Sequence, residues 1–170
     1  MPVAGCWPVR LLLIKYLMNR TVESALRFLN LTTSGLLAGS LGFGDAALVP
    51  GWQRELPRER TRRLNAAKYF DAIGPVALGT AVTLAIGSRG APARRILDAA
   101  TVIGLAGVLA ATIMVTVPAN KELEEQPATD YPSDRSQSLV KSWSRAHGVR
   151  TALGIGAFVC AVAASVSSKR

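Results

Sequence analysis

Charged residues divide this chain into four long uncharged windows, residues 28–44, 72–88, 99–120 and 151–168, of 17, 17, 22 and 18 residues. A membrane-crossing helix needs roughly 20 mostly apolar residues, within a range of about 17 to 25. The windows carry Gly, Ala, Ser and Thr where a helix of a water-soluble bundle would carry a charged face. They predict an all-α integral membrane bundle of four antiparallel transmembrane helices. Taking ionisable residues into the span ends extends the helices to 24–49, 64–88, 94–118 and 142–166. A central charge costs about 2.5–3.5 kcal/mol on insertion scales, and snorkelling lowers that cost near a helix end.

The rest of the chain follows from these limits. Residues 1–23 form a leader, interfacial or disordered, whose apolar run at 11–14 is interrupted by Arg10, Lys15 and Arg20 and is too short for a secretory core. The four-helix domain spans 24–166, and 167–170 is a basic tail. Pro50-Gly51 ends the first helix, and Asn120 after Pro118 has a structural reading as a C-cap of the third beside its functional one. The first connection carries Arg54, Arg58, Arg60, Arg62 and Arg63, while the third is acidic, with Glu122, Glu124, Glu125, Asp130 and Asp134. Small residues recur at spacings of three and four: Gly35, Ala38, Gly39, Gly42 and Ala46 on the first helix, Gly104, Gly107 and Ala111 on the third. In lipid, such faces let helices approach closely, and they carry no chemistry.

Composition sharpens the picture in two ways. With 49% apolar and 18% charged residues, disorder, a coiled coil and a small disulfide scaffold are excluded. The net charge of +9 would suggest nucleic acid in a soluble protein. Because the cations fall between apolar blocks, the lipid bilayer and its anionic headgroups are the expected partner, and nucleic acid is not. Cys6 and Cys160 lie too far apart to define a metal site or a disulfide framework. Lys and Arg divide equally between the two faces, so the positive-inside rule gives no orientation, and homo-oligomerisation stays open.

Antiparallel threading brings one set of polar residues to a single mouth of the bundle. Asp45 stands near the end of the first helix. Lys68 and Asp71 stand three apart near the start of the second, on one face. Asn120 ends the third. Trp143, His147 and Arg150 line one stripe at the start of the fourth, at spacings of four and three. Ionisable groups inside a membrane domain point to function. Each also has a structural reading: Lys68 with Asp71 as an ion pair, Arg150 paired to Asp45 or Asp71, His147 as an interfacial residue, Trp143 in an aromatic belt. The match of Gly42-x-Gly44-x-x-Ala47 to a dinucleotide fingerprint lacks the preceding strand that motif needs.

The run Met114-Val-Thr-Val-Pro118-Ala-Asn120-Lys, followed by an acidic connection and Trp143-Ser-Arg-Ala-His147-Gly-Val-Arg150-Thr, resembles the anthrone oxygenase-like family of small four-helix membrane proteins. The shared features are a P-x-N at the end of the third span and a W-x3-H-x2-R entering the fourth. The glycine-rich opening helix ending in Val49-Pro50 also fits, so the resemblance covers residues 24–166. The arginine-rich first connection and the Lys68/Asp71 pair have no place in that pattern.

The resemblance implies a membrane-embedded monooxygenase that converts the activated methylene of an anthrone, a hydrophobic aromatic polyketide, to a quinone carbonyl. It would use O2 as co-substrate, with no flavin or haem. The residues can support this. An anthrone methylene is acidic because its anion is an aromatic phenolate, and that anion can itself reduce O2. His147, whose imidazole titrates near neutrality, would be the base. Arg150 and Lys68 would stabilise the oxyanion. Asn120 would hydrogen-bond the carbonyl or a peroxide, and Asp45 or Asp71 would orient His147 or balance the cations. Trp143, with Tyr69, would bind the flat substrate. Two other readings stand beside it: an oxidase with an unusual His/Asp metal site, since a single His cannot form a two-His facial triad, and a non-enzymatic accessory subunit whose polar cluster ties helices together. A transporter is disfavoured by the lack of a repeat or a broken helix.

Overall fold

The computed structural model describes residues 19–52, 66–87, 91–125 and 133–167. The leader up to residue 18, residues 53–65 with the five arginines of the first connection, residues 88–90, residues 126–132 of the acidic connection and the last three residues lie outside them.

The described residues form four helical rods. Rod α1 runs over Arg20–Phe43, passes through a π-helical turn at Gly44–Leu48 and ends as a short α-helical stretch, Val49–Trp52. Rod α2 is Ala66–Gly87. Rod α3 runs over Pro92–Ala111, passes through a second π-helical turn at Thr112–Thr116 and continues as Val117–Glu125. Rod α4 is Asp134–Val166. Contacts join α1 to α2, α2 to α3, α3 to α4 and α4 back to α1, closing an up-down ring.

Local chemistry explains where the limits depart from expectation. Rod α1 starts at residue 20 rather than 24 because the Asn19 side chain accepts from the Val22 N–H at 2.8 Å. Rod α4 starts eight residues before the expected 142, where Ser133 and Ser136 form a reciprocal capping box. Neither Pro50 nor Pro118 ends its rod. Each follows a π turn by two residues, in which the Val49 N–H reaches the Gly44 carbonyl and the Val117 N–H reaches the Thr112 carbonyl. A proline cannot donate to the carbonyl four residues back and crowds it; widening the preceding turn by one residue lets the rod continue. Asn120 is therefore mid-rod in α3 and caps nothing.

Three rods contain stretches long and apolar enough to cross a membrane: Tyr69–Gly87, Pro92–Leu123 and Asp134–Val166. Rod α1 does not reach that mark, because beyond Arg20, Glu23 and Arg27 it carries Asn30, Thr32, Thr33, Ser34, Ser40 and Asp45 among its apolar residues. Large apolar side chains face outward, among them Phe28, Phe43, Ile103 and Met114, as a lipid-facing surface requires. Inside, Leu37, Leu41, Ala77, Leu105, Val108 and Ala157 form the main core. Close approach depends on glycine at particular positions. A Cβ on Gly104 would stand 2.9 Å from the Ala157 Cβ and 3.1 Å from the Leu153 carbonyl, and one on Gly154 would stand 3.0 Å from Leu41. Gly39 and Gly42, expected on the same packing face, touch nothing within 4 Å.

The end of the bundle where α1 and α3 begin is tied by buried charges. Arg27 makes a two-pronged pair with Asp98, both bonds 3.0 Å, and also reaches Glu23 at 3.3 Å. Arg94 closes the group on Glu23. One turn deeper, the Asn30 amide donates to the Ala77 carbonyl at 3.0 Å and to Thr80 Oγ1 at 3.1 Å. Two cations and two anions cancel, and the bidentate geometry offsets their desolvation.

Candidate functional site

Toward the opposite end, the stretch of α4 from its third to its fifth turn presents Trp143, His147 and Arg150 on one inward stripe, all buried, with His147 5% and Arg150 4% exposed. The spacing of four and three places them one above another. The Trp143 indole and the His147 imidazole stack, centroids 4.8 Å apart and 7° from parallel.

Backbone, not carboxylate, orients the imidazole. His147 Nε2 is 3.2 Å from the Leu41 carbonyl, which also accepts from Thr151 Oγ1 at 3.3 Å. Leu41 lies three residues before the π turn of α1, where the helical ladder changes register and a carbonyl is open to a second donor. A carbonyl only accepts, so Nε2 carries the proton and the lone pair sits on Nδ1. That Nδ1 is buried without a hydrogen-bond partner. Gly44 makes the approach possible: a Cβ there would stand 2.8 Å from Nε2 and 3.2 Å from Cε1.

The second π turn serves Arg150. Its NH1 donates to Thr116 Oγ1 at 3.2 Å, and Thr116 is the last residue of that turn, its own hydroxyl 3.5 Å from the Ala111 carbonyl five residues back. The guanidinium carbon lies 5.6 Å above the Phe70 ring of α2. Its Nε is buried without a partner. The α4 stripe thus meets the Leu41 carbonyl just ahead of the first π turn and the Thr116 hydroxyl within the second, and π turns are common at functional sites.

The other residues singled out in the sequence are placed less centrally. Asp45, on the first π turn, and Asp71, on α2, are both exposed. Among the described residues, neither carboxylate bonds to His147 or pairs with Arg150. Asn120 is half-buried in the last stretch of α3. Lys68 lies in α2, but its side chain is outside the described residues. Tyr69 is exposed and its hydroxyl donates to the Leu36 carbonyl of α1 at 3.4 Å, so it braces two rods. Leu41, Gly44, Phe70, Thr116 and Thr151 were not picked out by the sequence. Thr151 had a signal, one turn beyond His147, and the repeated Val-Pro after each π turn was the only trace of Leu41 and Thr116.

No group of three or more His, Cys, Asp or Glu side chains stands together as a metal site would need, among the described residues. No curated protein and no solved structure matches the chain. The family model described as anthrone oxygenase matches residues 61–160, which takes in α2, α3 and most of α4 with the Trp143–His147–Arg150 stripe but begins after α1. That covers more than half of the 170 residues, and the chain belongs to the anthrone oxygenase family.

Proposed function

We propose that this protein oxidises the methylene of an anthrone-type aromatic polyketide to a carbonyl with O2, His147 acting as base and Arg150 as oxyanion partner. The observation that carries the reading is the free, buried Nδ1 of an imidazole whose tautomer is fixed from the far side. Such a nitrogen is ready to take a proton from a substrate and needs no carboxylate to hold it.

The chemistry balances with no organic cofactor or metal. His147 Nδ1 removes one methylene proton, leaving an electron-rich aromatic anion whose oxygen faces the Arg150 guanidinium. The anion passes one electron to O2, and the resulting radical and superoxide combine to form a carbon–oxygen bond. The imidazolium returns its proton to the peroxide. Loss of the second methylene proton with cleavage of the O–O bond gives the quinone carbonyl and water. Overall, CH2 plus O2 becomes C=O plus H2O. The rings of Trp143 and Phe70 supply flat surfaces for a polycyclic substrate that arrives from lipid, and Asn120 and Lys68, on the same end of the bundle, are further candidates to meet its oxygens.

The test is oxygen uptake and quinone absorbance on adding an anthrone to membranes that contain the protein, in air and under nitrogen. The wild type should exceed spontaneous autoxidation, and His147→Ala should lose about 10²–10⁴-fold of that excess. Equal rates with and without the protein, or an undiminished rate in His147→Ala, would overturn the reading.

A further inference from the structure

Trp143, His147 and Arg150 are all buried, so a molecule reaches them only where two rods part. Most of the surrounding walls are closed at near-contact distance. Between α3 and α4, a Cβ on Gly104 would stand 2.9 Å from the Ala157 Cβ, and one on Gly107 would stand 2.9 Å from Leu153 Cδ1. Between α1 and α4, a Cβ on Gly44 would stand 2.8 Å from His147 Nε2, and the Leu41 carbonyl engages both His147 and Thr151. Both π turns and the Val117–Glu125 stretch also pack on α4. The remaining wall is the start of α2, which meets the stripe through the Phe70 ring, 5.6 Å from the Arg150 guanidinium carbon.

This part of α2 is held differently from the rest of the rod. Pro75 stands inside the helix and cannot donate to the Asp71 carbonyl four residues back. Gly74 precedes it, and a Cβ there would meet nothing within 4 Å. Helices bend sharply at proline, and glycine beside it adds freedom. Beyond Pro75, Ala77, Thr80, Ala81 and Leu84 are buried, and Asn30 of α1 donates to the Ala77 carbonyl and to Thr80. Ahead of it, no described side chain is buried: Phe70 and Ile73 are half-buried, and Tyr69, Asp71 and Ala72 are exposed. The hydrogen bond to α1 there is the exposed one from the Tyr69 hydroxyl to the Leu36 carbonyl, at 3.4 Å. Few buried contacts and an exposed hydrogen bond mark a segment that opens before its surroundings.

We infer that the first two turns of α2, residues 66–73, are a lateral door between the lipid and the buried stripe: they swing about Gly74–Pro75, Tyr69 latches them to α1, and Phe70 is the panel that covers Arg150. Opening parts α2 from α1 and exposes the stripe to the bilayer; closing returns the Phe70 ring to the guanidinium. Hinge and latch therefore set how fast a flat apolar molecule enters and leaves. This rests on the oxygenase reading for its passenger, an aromatic dissolved in lipid, and not for its mechanics.

The test places a thiol behind the door. Thr116 is buried against Arg150 NH1, and Thr116→Cys is made in the full chain with Cys6→Ser and Cys160→Ser, in lipid bicelles. The measurement is its rate of labelling by N-phenylmaleimide, which dissolves in lipid. Tyr69→Phe should speed labelling about three- to tenfold, the worth of one hydrogen bond. Pro75→Ala should slow it at least about tenfold, by stiffening the hinge. A sulfonated maleimide confined to water should lag behind the lipid-soluble reagent. Thr101→Cys, buried between α3 and α4, reports general loosening, and neither change should move its rate. Rates that ignore both Tyr69→Phe and Pro75→Ala, equal changes at Thr101→Cys, or faster labelling by the water-confined reagent would overturn the inference. Tyr69→Phe, which removes a single oxygen, decides the matter alone should Pro75→Ala fail to fold. Neither substrate nor O2 enters the measurement, so the oxygenase reading fails separately. If labelling follows latch and hinge while no anthrone drives oxygen uptake, the door stands and that reading falls. If an anthrone is oxidised through His147 while labelling ignores both residues, the oxygenase reading stands and the door falls.

Discussion

Replacing Gly44 by Ala adds one methyl group at the most crowded point of the site. The new Cβ would stand 2.8 Å from His147 Nε2 and 3.2 Å from Cε1, where ordinary contact begins at 3.4 Å. The imidazole must retreat by more than half an ångström, which strains the 3.2 Å bond to the Leu41 carbonyl and the stack on Trp143. Overpacking of this size costs about 1–3 kcal/mol. Gly44 has right-handed helical angles, so Ala also gains about 1 kcal/mol as a better helix former. Stability should therefore fall by no more than about 2 kcal/mol. Activity should fall much further, because a reacting group displaced by about 1 Å can lose about 10²-fold in rate. Gly39→Ala is the control, since nothing lies within 4 Å of that position. The assays are anthrone-dependent oxygen uptake and thermal unfolding in micelles. A Gly44→Ala protein with turnover within twofold of wild type would refute the claim that this glycine sets the imidazole's position.

Asp98→Asn or Arg27→Gln should each cost about 3–5 kcal/mol in unfolding, because each breaks the two-pronged Arg27–Asp98 pair and leaves the buried quartet with an unbalanced charge; the double change Arg27→Met with Asp98→Leu should recover most of the loss, and additive losses would argue against a coupled pair. Gly104→Ala should cost about 1–3 kcal/mol, since the methyl meets the Ala157 Cβ at 2.9 Å and the Leu153 backbone at 3.1 Å, and backbone cannot yield as a side-chain tip can; an unchanged unfolding midpoint would show that α3 and α4 separate freely.

The architecture and the α4 stripe were legible in the sequence because both follow from period and charge spacing. Uncharged windows locate rods, and residues at spacings of four and three must share a face. Two kinds of information were not legible. Backbone groups have no letter: the orienting partner of His147 is the Leu41 carbonyl, so reasoning confined to side chains assigned that task to Asp45 or Asp71, which are exposed. Proline was read as a stop at Pro50 and Pro118, whereas a wider turn ahead of each carries the helix through. Arg27 and Arg94 were weighed only for membrane orientation, although Glu23 with Arg27 and Arg94 with Asp98 each show the spacing of four that puts a pair on one helix face. Reading those two pairs together would have exposed the buried quartet.

The two ends of the bundle act on each other through α1. This rod lacks the long apolar membrane-crossing stretch that the other three contain among the described residues and lies before the matched family region, yet it supplies the carbonyl that sets His147 and the glycine that admits it. Beside the core packing of Leu37 and Leu41, it is held by Arg27, pinned by both nitrogens to Asp98. Leu41 lies fourteen residues beyond Arg27, about 21 Å along a helix rising about 1.5 Å per residue. A slip of one residue at the pin would turn the Leu41 carbonyl through about 100° and point it away from α4. The neutral quartet is thus a register lock. By fixing how α1 is rotated, it determines which backbone oxygen meets the imidazole at the far end, and so which nitrogen of His147 keeps its lone pair.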